Sequence, residues 1–188
     1  MNENKEPVAP QEKQPKENME LLDWLYSAVT AVVIAILLCS FVIRPIYVVG
    51  SSMVPTLEER DLIMVSKLFY QPKYGDIVVL RKDSFIQNNI VKRVIATEGQ
   101  TVDIDFVEGV VYVDGTALDE PYVNSLTLEA EDFTEPVTVP EGCVFVMGDN
   151  RNRSTDSRSA RVGCVDARLI VGKALIRVTP LNKFGKIG

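Results

Sequence analysis

A run of nineteen residues without a charged side chain, residues 25–43, constrains the fold of this chain more than any other feature. As a helix rising about 1.5 Å per residue it would extend about 28 Å, close to the roughly 30 Å of a bilayer's hydrocarbon core. Asp23 and Arg44 bracket the run, and Trp24 stands where interfacial aromatic residues are common. The sequence therefore predicts a transmembrane anchor helix over residues 23–44.

A cleaved signal peptide is the alternative interpretation of the same run. The apolar core of a signal peptide is usually about 7–15 residues long and precedes a small-x-small cleavage site. Here the run is longer, and Arg44-Pro45-Ile46-Tyr47 supplies no such site. We therefore expect a retained anchor that separates a disordered polar tail, residues 1–22, from a single domain over residues 45–188.

Beyond residue 44 the chain changes to short runs rich in Val, Ile and Tyr, whose length and β-branched content are typical of strands. Asp114-Gly115 indicates a hairpin with a two-residue turn, and the acidic segment 120–136 predicts a surface loop. The fold class is therefore mostly β, with one core. The predicted strands are 46–49, 62–65, 77–80, 90–95, 102–106, 110–113, 137–139, 144–147 and 169–178.

The chain contains no histidine, and this absence limits the catalytic chemistry that it can perform. A Ser-His-Asp triad is excluded. Lysine is the remaining nitrogen base that could activate a serine hydroxyl, and a Ser–Lys pair requires only those two side chains and a dry pocket. The net charge of −6 comes without a basic patch, so nucleic acid is not a predicted partner.

Three cysteines leave the redox state of the domain open. Cys39 lies inside the predicted anchor and is interpreted as inert packing. Cys143 and Cys164 flank the polar segment 148–161. They would form a disulfide if their strands were adjacent outside the membrane, or would remain two buried thiols.

The segment 48–57 is the first that could carry chemistry. Gly50 permits an irregular backbone, and Pro55 prevents a helix from forming over Ser52. A serine on a stiff turn after a strand is well placed to attack a bound peptide. On chemical grounds Ser51 is an equally acceptable nucleophile, and a loop without function is the alternative.

Lys92 and Arg93 interrupt an apolar strand within residues 89–96. Strand alternation sends the two side chains to opposite faces, so one of them shares the face of Ile90 and Val94. A buried lysine loses hydration of its charged form, and its pKa falls. A fall of the lysine pKa from about 10.4 to about 7.5 would cost about 4 kcal/mol of stability. A fold tolerates such a cost only where the buried lysine serves a function. A lysine that extends along the surface to solvent is the alternative.

Residues 147–161 form the third candidate segment, too dense in Asp, Asn, Arg and Ser for a core. Their pattern is typical of a rigid polar loop with Asx turns and Asp–Arg pairs, and a solvated charged loop is the alternative. Asp149, Asn150 and Asp156 could ligate a metal, but the alternating arginines would repel a cation. No metal or organic cofactor is therefore predicted.

These segments, in this order behind an anchor, resemble the type I signal peptidases, and in particular the small single-anchor form of Gram-positive bacteria. The resemblance extends over residues 22–178 and depends on the joint order of its motifs. It implies short, coiled antiparallel sheets, as in signal peptidases and SOS-repressor proteases. The motifs are Ser52-Met53-x-Pro55-Thr56-Leu57, Tyr74-Gly75-Asp76-Ile77-Val78-Val79, Lys92-Arg93-Val94-Ile95, Val111-Tyr112-Val113, Asp119-Glu120-Pro121-Tyr122-Val123, Gly148-Asp149-Asn150-Arg151, Ser154-Thr155-Asp156-Ser157-Arg158 and Gly172-Lys173-Ala174.

The resemblance implies that Ser52, rather than Ser51, is the nucleophile and that Lys92 is its general base. Ser154 would hydrogen-bond the Lys92 amine and orient it. The Ser52 backbone N–H would bind the oxyanion. Some family members add a serine hydroxyl two residues earlier, but Gly50 occupies that position here, so a second donor must be backbone or is missing.

The resemblance also implies a supporting set of charged residues and a set of substrate-binding residues. Asp149 and Asp156 would form ion pairs with Arg93 and Arg158 that hold the walls of the site, and Arg151 belongs to the same motif. Shallow apolar pockets for the substrate would be lined by Ile46, Val48, Met53, Leu57, Ile63, Ile90 and Val91.

The activity implied is that of a membrane-anchored serine endopeptidase that removes signal peptides from secreted precursors, cutting after small residues as in Ala-x-Ala. Its partners would be those precursors, the lipid bilayer and the secretion machinery. It would cross the bacterial cell membrane once, with its N-terminus cytoplasmic. Repressor autoproteases would need a DNA-binding domain and an Ala-Gly cleavage bond, and neither precedes Ser52. A non-enzymatic, anchored β-domain of the envelope is the remaining alternative.

Overall fold

The computed structural model of the protein describes residues 16–81 and 89–187 and divides the chain into two units, residues 1–41 and 42–188. Helix α1, Lys16–Val42, makes up the described part of the first unit. Its segment Glu20–Leu37 has a mean hydropathy of 1.8 and is long enough to cross a membrane. Every residue of this segment is exposed.

The helix begins at Lys16, inside the tail that was predicted to be disordered. Lys, Glu, Met and Leu are strong helix formers, and neither Gly nor Pro occurs between Lys16 and the apolar run. Helical propensity therefore extends the helix by about two turns toward the N-terminus, and the prediction of disorder differs from the structure over residues 16–22. Residues 1–15 and the Cys39 side chain lie outside the described part of the chain.

The second unit is built from antiparallel strands, which confirms the predicted mostly-β fold. One sheet has eight strands in the order β1-β2-β11-β3-β4-β9-β10, with β12 paired to β11, and a smaller sheet has the order β7-β6-β5-β8. The strands described are β1 (Ile43–Tyr47), β2 (Leu62–Ser66), β3 (Ile77–Leu80), β4 (Ile90–Thr97), β5 (Thr101–Asp105), β6 (Val110–Val113), β7 (Thr116–Ala117), β8 (Val137–Thr138), β9 (Cys143–Met147), β10 (Val165–Asp166), β11 (Ile170–Thr179) and β12 (Gly185–Lys186).

The first strand begins three residues before its predicted position. Its first residue, Ile43, is the last residue of the uncharged run. Ile43 pairs with Ser66 of β2 instead of continuing the helix. Pro45 cannot donate a helical hydrogen bond, and it disfavours helical geometry at Arg44 before it. The helix therefore ends at Val42, two residues before the predicted end of the anchor.

The predicted hairpin turn is present between β6 and β7. Asp114 and Gly115 both have positive φ, 51° and 75°, as a type I′ turn requires.

Buried apolar residues form three clusters, where one core was predicted. β4 contributes Val91 to the first cluster, Ile95 to the second and Val94 to the third. Strand alternation, together with a bulge between Val94 and Ala96, directs these side chains into different clusters. Lys92 and Arg93 thus lie in a strand that is surrounded by core.

The loop over residues 120–136 is only partly a surface loop. Thr127 and Phe133 are buried, and Phe133 makes edge-on ring contacts with Phe106 and Phe145. A few apolar residues are enough to anchor this acidic segment on the second cluster, so the surface prediction was wrong at these positions.

Candidate active site

Ser52 and Lys92, forty residues apart in sequence, are in hydrogen-bond contact: Lys92 Nζ lies 2.8 Å from Ser52 Oγ. Lys92 lies in the middle of β4 and is 3% exposed. Ser52 lies in the turn after β1 and is only partly buried. The amine is therefore shielded from water, while the hydroxyl can be reached from solvent.

Burial lowers the pKa of Lys92 from 10.5 to about 8. Asp156 opposes this change, the positive charge of Arg158 adds to it, and Glu131 and Asp149 oppose it more weakly. Loss of hydration is the dominant cause. At pH 8 about half of the Lys92 side chains would be neutral and able to accept a proton from a hydroxyl.

The turn that carries Ser52 is clamped by the loop after β9. The backbone N–H of Asn150 donates to the Ser52 carbonyl oxygen at 3.0 Å, and Asn150 Nδ2 donates to that of Ser51 at 3.0 Å. Gly50 has a φ of 82°, in the left-handed region where a side chain is strained. The serine is thus held by backbone contacts on a turn that needs glycine at its start.

Ser154 does not form the predicted hydrogen bond with Lys92. Among the described residues, the Ser154 hydroxyl bonds to Asp156 Oδ2 at 2.7 Å, and the Lys92 amine bonds to Ser52. A buried carboxylate is a stronger hydrogen-bond partner than a neutral amine, which explains the difference. Ser154 therefore influences the amine through Asp156 rather than by direct contact.

Gly148 permits the close approach of Ser52 and Ser154, and sequence reasoning assigned it no role. A Cβ placed on Gly148 would lie 2.3 Å from Ser154 Oγ and 2.4 Å from the Ser52 carbonyl oxygen. Any side chain there would push the two serines apart. The signal in the sequence was the glycine that opens the motif Gly148-Asp149-Asn150-Arg151.

Arg93 and Asp149 form a buried, two-pronged ion pair. Arg93 Nε and Nη2 donate to the two carboxylate oxygens at 2.8 and 2.7 Å, and Nη1 donates to the Gly75 carbonyl at 2.8 Å. The guanidinium carbon lies 3.8 Å from the centre of the Tyr122 ring. The Thr56 hydroxyl donates to the same Asp149 carboxylate, so this pair connects β4 to the turn that carries Ser52.

Arg158 and Asp156 form the second buried pair. Arg158 Nε and Nη2 each lie 2.9 Å from a carboxylate oxygen of Asp156. The same guanidinium also donates to the carbonyls of Arg151 and Glu129, both at 2.6 Å. The backbone N–H of Gly148 donates to Asp156 Oδ2 at 3.0 Å. The carboxylates of Asp149 and Asp156, considered above as metal ligands, are thus bound to guanidinium groups.

A third buried arginine fastens the loop over residues 120–136 to the site. Arg151 donates two hydrogen bonds of 2.6 Å to the Glu120 carboxylate and one of 3.0 Å to Thr127 Oγ1. The sequence offered Glu120 as part of a motif but gave it no partner. Its role as counterion of Arg151 emerges only from the fold.

Six of the seven predicted substrate-binding residues share the first cluster, which extends under the Ser52 turn. Ile90 is the exception: it is half-buried and packs against the third cluster. The side chains that share the first cluster are almost fully buried, apart from the half-buried Ile46, so they form a floor rather than an open wall. They are Ile46, Val48, Met53, Leu57, Ile63 and Val91.

Cys143 and Cys164 are both free thiols in this structure. They are partly buried against the second cluster. Burial, followed by the proximity of Cys143, raises the pKa of the Cys164 thiol. The structure thus corresponds to the thiol alternative of the two that the sequence left open.

Comparison with known proteins identifies the family of the chain. The model of a family described as signal peptidase, peptidase S26, matches residues 21–179. The chain belongs to this family.

Several proteins named signal peptidase I have similar sequences. A probable signal peptidase I-1 of Synechocystis is 41% identical over 184 residues, which cover 92% of this chain and 87% of the relative. Signal peptidase I of Bacillus licheniformis is 36% identical over 189 residues, covering 94% of this chain and 98% of the relative. A crystal structure of a signal peptidase I from Enterococcus faecalis is 30% identical, with a TM-score of 0.44, and covers 55% of this chain and 97% of that one.

Membership of the S26 family makes the chain a serine peptidase, as the sequence predicted. The alternative of a non-enzymatic envelope domain is therefore wrong.

Proposed function

We propose that this S26 peptidase is anchored in the bacterial cell membrane by α1 and removes signal peptides from secreted precursors, with Ser52 as nucleophile and Lys92 as general base. The observation that carries the proposal is the 2.8 Å contact of Lys92 Nζ with Ser52 Oγ in a chain without histidine. The printed names of relatives, signal peptidase I, support the class of substrate.

The first chemical step is acylation of Ser52. Neutral Lys92 takes the hydroxyl proton while Ser52 Oγ attacks the carbonyl carbon of the scissile peptide bond. The Ser52 backbone N–H donates to the oxyanion, a contact typically worth about 3–4 kcal/mol. Because Gly50 carries no hydroxyl, a second donor must be a backbone N–H or is missing.

Collapse of the tetrahedral intermediate and deacylation complete the cycle. The Lys92 ammonium passes its proton to the leaving amine nitrogen as the C–N bond breaks, which leaves an ester on Ser52. A water molecule then attacks this ester, again with Lys92 as the base, and Ser52 Oγ recovers its proton. The partial exposure of Ser52 supports access for that water.

The two buried ion pairs serve as positioning groups. The Arg93–Asp149 pair, through Thr56, holds the Ser52 turn against β4. The Arg158–Asp156 pair fixes Ser154, and its two charges act on Lys92 in opposite directions: Asp156 raises the pKa of the amine and Arg158 lowers it. Such fixed geometry is what a two-residue catalytic unit requires, because small displacements of the reacting atoms reduce the rate steeply.

The substrate would bind as an extended strand. Among the described strands, β1 pairs only with β2, and it leads directly to the Ser52 turn. A precursor added along the free edge of β1 would present a carbonyl to Ser52. The closely packed floor of the first cluster favours small side chains beside the scissile bond, as in Ala-x-Ala.

The anchor would give the enzyme its location and its substrate supply. With the N-terminus cytoplasmic and the domain extracytoplasmic, enzyme and precursor would share one membrane. Confinement of both to that surface raises their effective concentration without any new contact. The bilayer and components of the secretion machinery are accordingly proposed partners.

Cleavage of a precursor peptide by the detergent-solubilised full chain tests the proposal. We expect Ser52→Ala and Lys92→Ala each to reduce kcat/KM by a factor on the order of 10³ or more, with folding monitored by circular dichroism. Lys73→Ala, at an exposed lysine, is the matched control and should cut like wild type. Wild-type cleavage by Ser52→Ala would show that another group is the nucleophile.

A further inference from the structure

A cavity of about 280 Å³ in the second unit is lined by four cationic side chains, Arg44, Lys67, Arg81 and Arg168. No acidic residue is among its described lining residues, but Arg168 forms an ion pair with Asp166, which lies outside the lining. The whole chain has a net charge of −6, so this concentration of positive charge is local. The other five lining residues are apolar. The cavity thus offers cations and apolar surface together, which suits an amphiphilic anion.

The cavity lies where the chain leaves the apolar helix. Val42, the last residue of α1, and Arg44 in β1 both line it. Its Lys67 is followed by Leu68 and Phe69, both exposed, and Phe69 is 96% exposed. Phe69 also has a φ of 49°, a conformation that non-glycine residues adopt rarely. Exposed Phe and Leu side chains close to Lys or Arg also occur in segments that lie at a membrane–water interface.

We propose that this cavity binds the phosphate group of an anionic membrane phospholipid. The guanidinium and ammonium groups would bind the phosphate oxygens, for which Arg offers a planar pair of donors. The apolar lining would contact the adjoining part of the lipid. A soluble phosphate could not use that lining, which makes up more than half of the residues around the cavity. The proposal requires α1 in a membrane but does not depend on the peptidase activity.

Native mass spectrometry of the full chain in detergent, titrated with phosphatidylglycerol or phosphatidylcholine of identical acyl chains, tests the site. We expect wild type to retain phosphatidylglycerol in preference to phosphatidylcholine. In Lys67→Gln/Arg81→Gln the affinity for phosphatidylglycerol should fall by a factor on the order of ten. Lys73→Gln/Lys186→Gln removes the same charge from two exposed positions outside the cavity and should bind as wild type does.

Further variants keep the test decisive. The charge-retaining pair Lys67→Arg/Arg81→Lys should preserve binding, and the single variant Lys67→Gln should lose part of it, with thermal unfolding as the control for folding. Peptide cleavage in lipid-free detergent should stay at the wild-type rate, because Lys67 and Arg81 line the cavity and are not members of the Ser52–Lys92 pair. Equal affinity of Lys67→Gln/Arg81→Gln and Lys73→Gln/Lys186→Gln for phosphatidylglycerol would show that the cavity is not the binding site. Displacement of the lipid by an equal concentration of inorganic phosphate would overturn the lipid as its occupant.

Discussion

Two short segments, Asp156-Ser157-Arg158 and Asp166-Ala167-Arg168, place the same ion pair in opposite surroundings. The side chains of Asp156 and Arg158 are 0% exposed, and each makes further hydrogen bonds to the loop around it. Arg168 is 90% exposed and Asp166 is 33% exposed. The residue types and spacing are identical, so burial and the hydrogen bonds that come with it make the first pair part of the scaffold of the candidate site and leave the second in solvent.

The largest expected difference between the two segments is in stability. Arg158→Ala would leave the Asp156 carboxylate buried without its counterion, which typically costs about 3–5 kcal/mol of unfolding free energy. Arg168→Ala removes the same side chain from a solvated pair and should leave the melting temperature unchanged. Thermal unfolding of both variants in the same detergent checks this, and equal melting temperatures would show that burial does not separate the segments.

Burial also separates Lys92 from the exposed lysines of the chain, because it disfavours the charged form of the Lys92 amine. Its pKa is about 8 in the folded chain and would be about 10.5 in the unfolded chain. Between these values the unfolded chain holds more protons, so wild-type stability rises with pH. The shift corresponds to about 3 kcal/mol, at about 1.36 kcal/mol per unit.

Lys92→Met should therefore be inactive yet more stable than wild type at pH 7, by up to about 3 kcal/mol, and this advantage should vanish toward pH 10.5. Denaturant unfolding at pH 7 and pH 10 measures it. Lys186→Met, at an exposed lysine, should show no such pH-dependent gain. An Lys92→Met variant with the wild-type stability at both pH values would contradict the desolvation of the amine.

A smaller effect is expected at two glycines in different surroundings. In Gly148→Ala the new methyl group would collide with Ser154 Oγ and the Ser52 carbonyl oxygen, and displacement of a catalytic group by about 1 Å can cost on the order of 10² in rate. A Cβ on Gly185 meets nothing within 4 Å, so Gly185→Ala should cleave like wild type. The steady-state kcat of the two variants measures this difference. A wild-type kcat in Gly148→Ala would mean that the Ser52 turn tolerates movement.

The sequence predicted those features of the fold that depend on local pattern. Asp114-Gly115 specified its hairpin, because only residues that accept positive φ form a type I′ turn. Short runs rich in β-branched residues placed β3 and β6 with their observed bounds. The helix start at Lys16 was missed because polar helix formers look like a disordered tail when composition alone is considered.

The candidate site could be predicted only in outline. The family resemblance selected Ser52 and Lys92, and the structure brings them into contact. The partner of Ser154 and the placement of Ile90 depend on which groups meet in three dimensions, and both differ from the expectation. The counterion of Arg151 comes from Glu120, 31 residues away, a pairing that no local pattern specifies.

The pH dependence of kcat/KM tests the central claim most directly, since it reports the ionisation of the free enzyme. It should be measured on wild type from pH 6 to pH 10.5 with a precursor peptide that does not titrate in this range. We predict that kcat/KM rises with pH and levels off above an apparent pKa of about 8, where Lys92 is neutral. A rate that keeps rising to pH 10, as for a solvated lysine, would contradict the account.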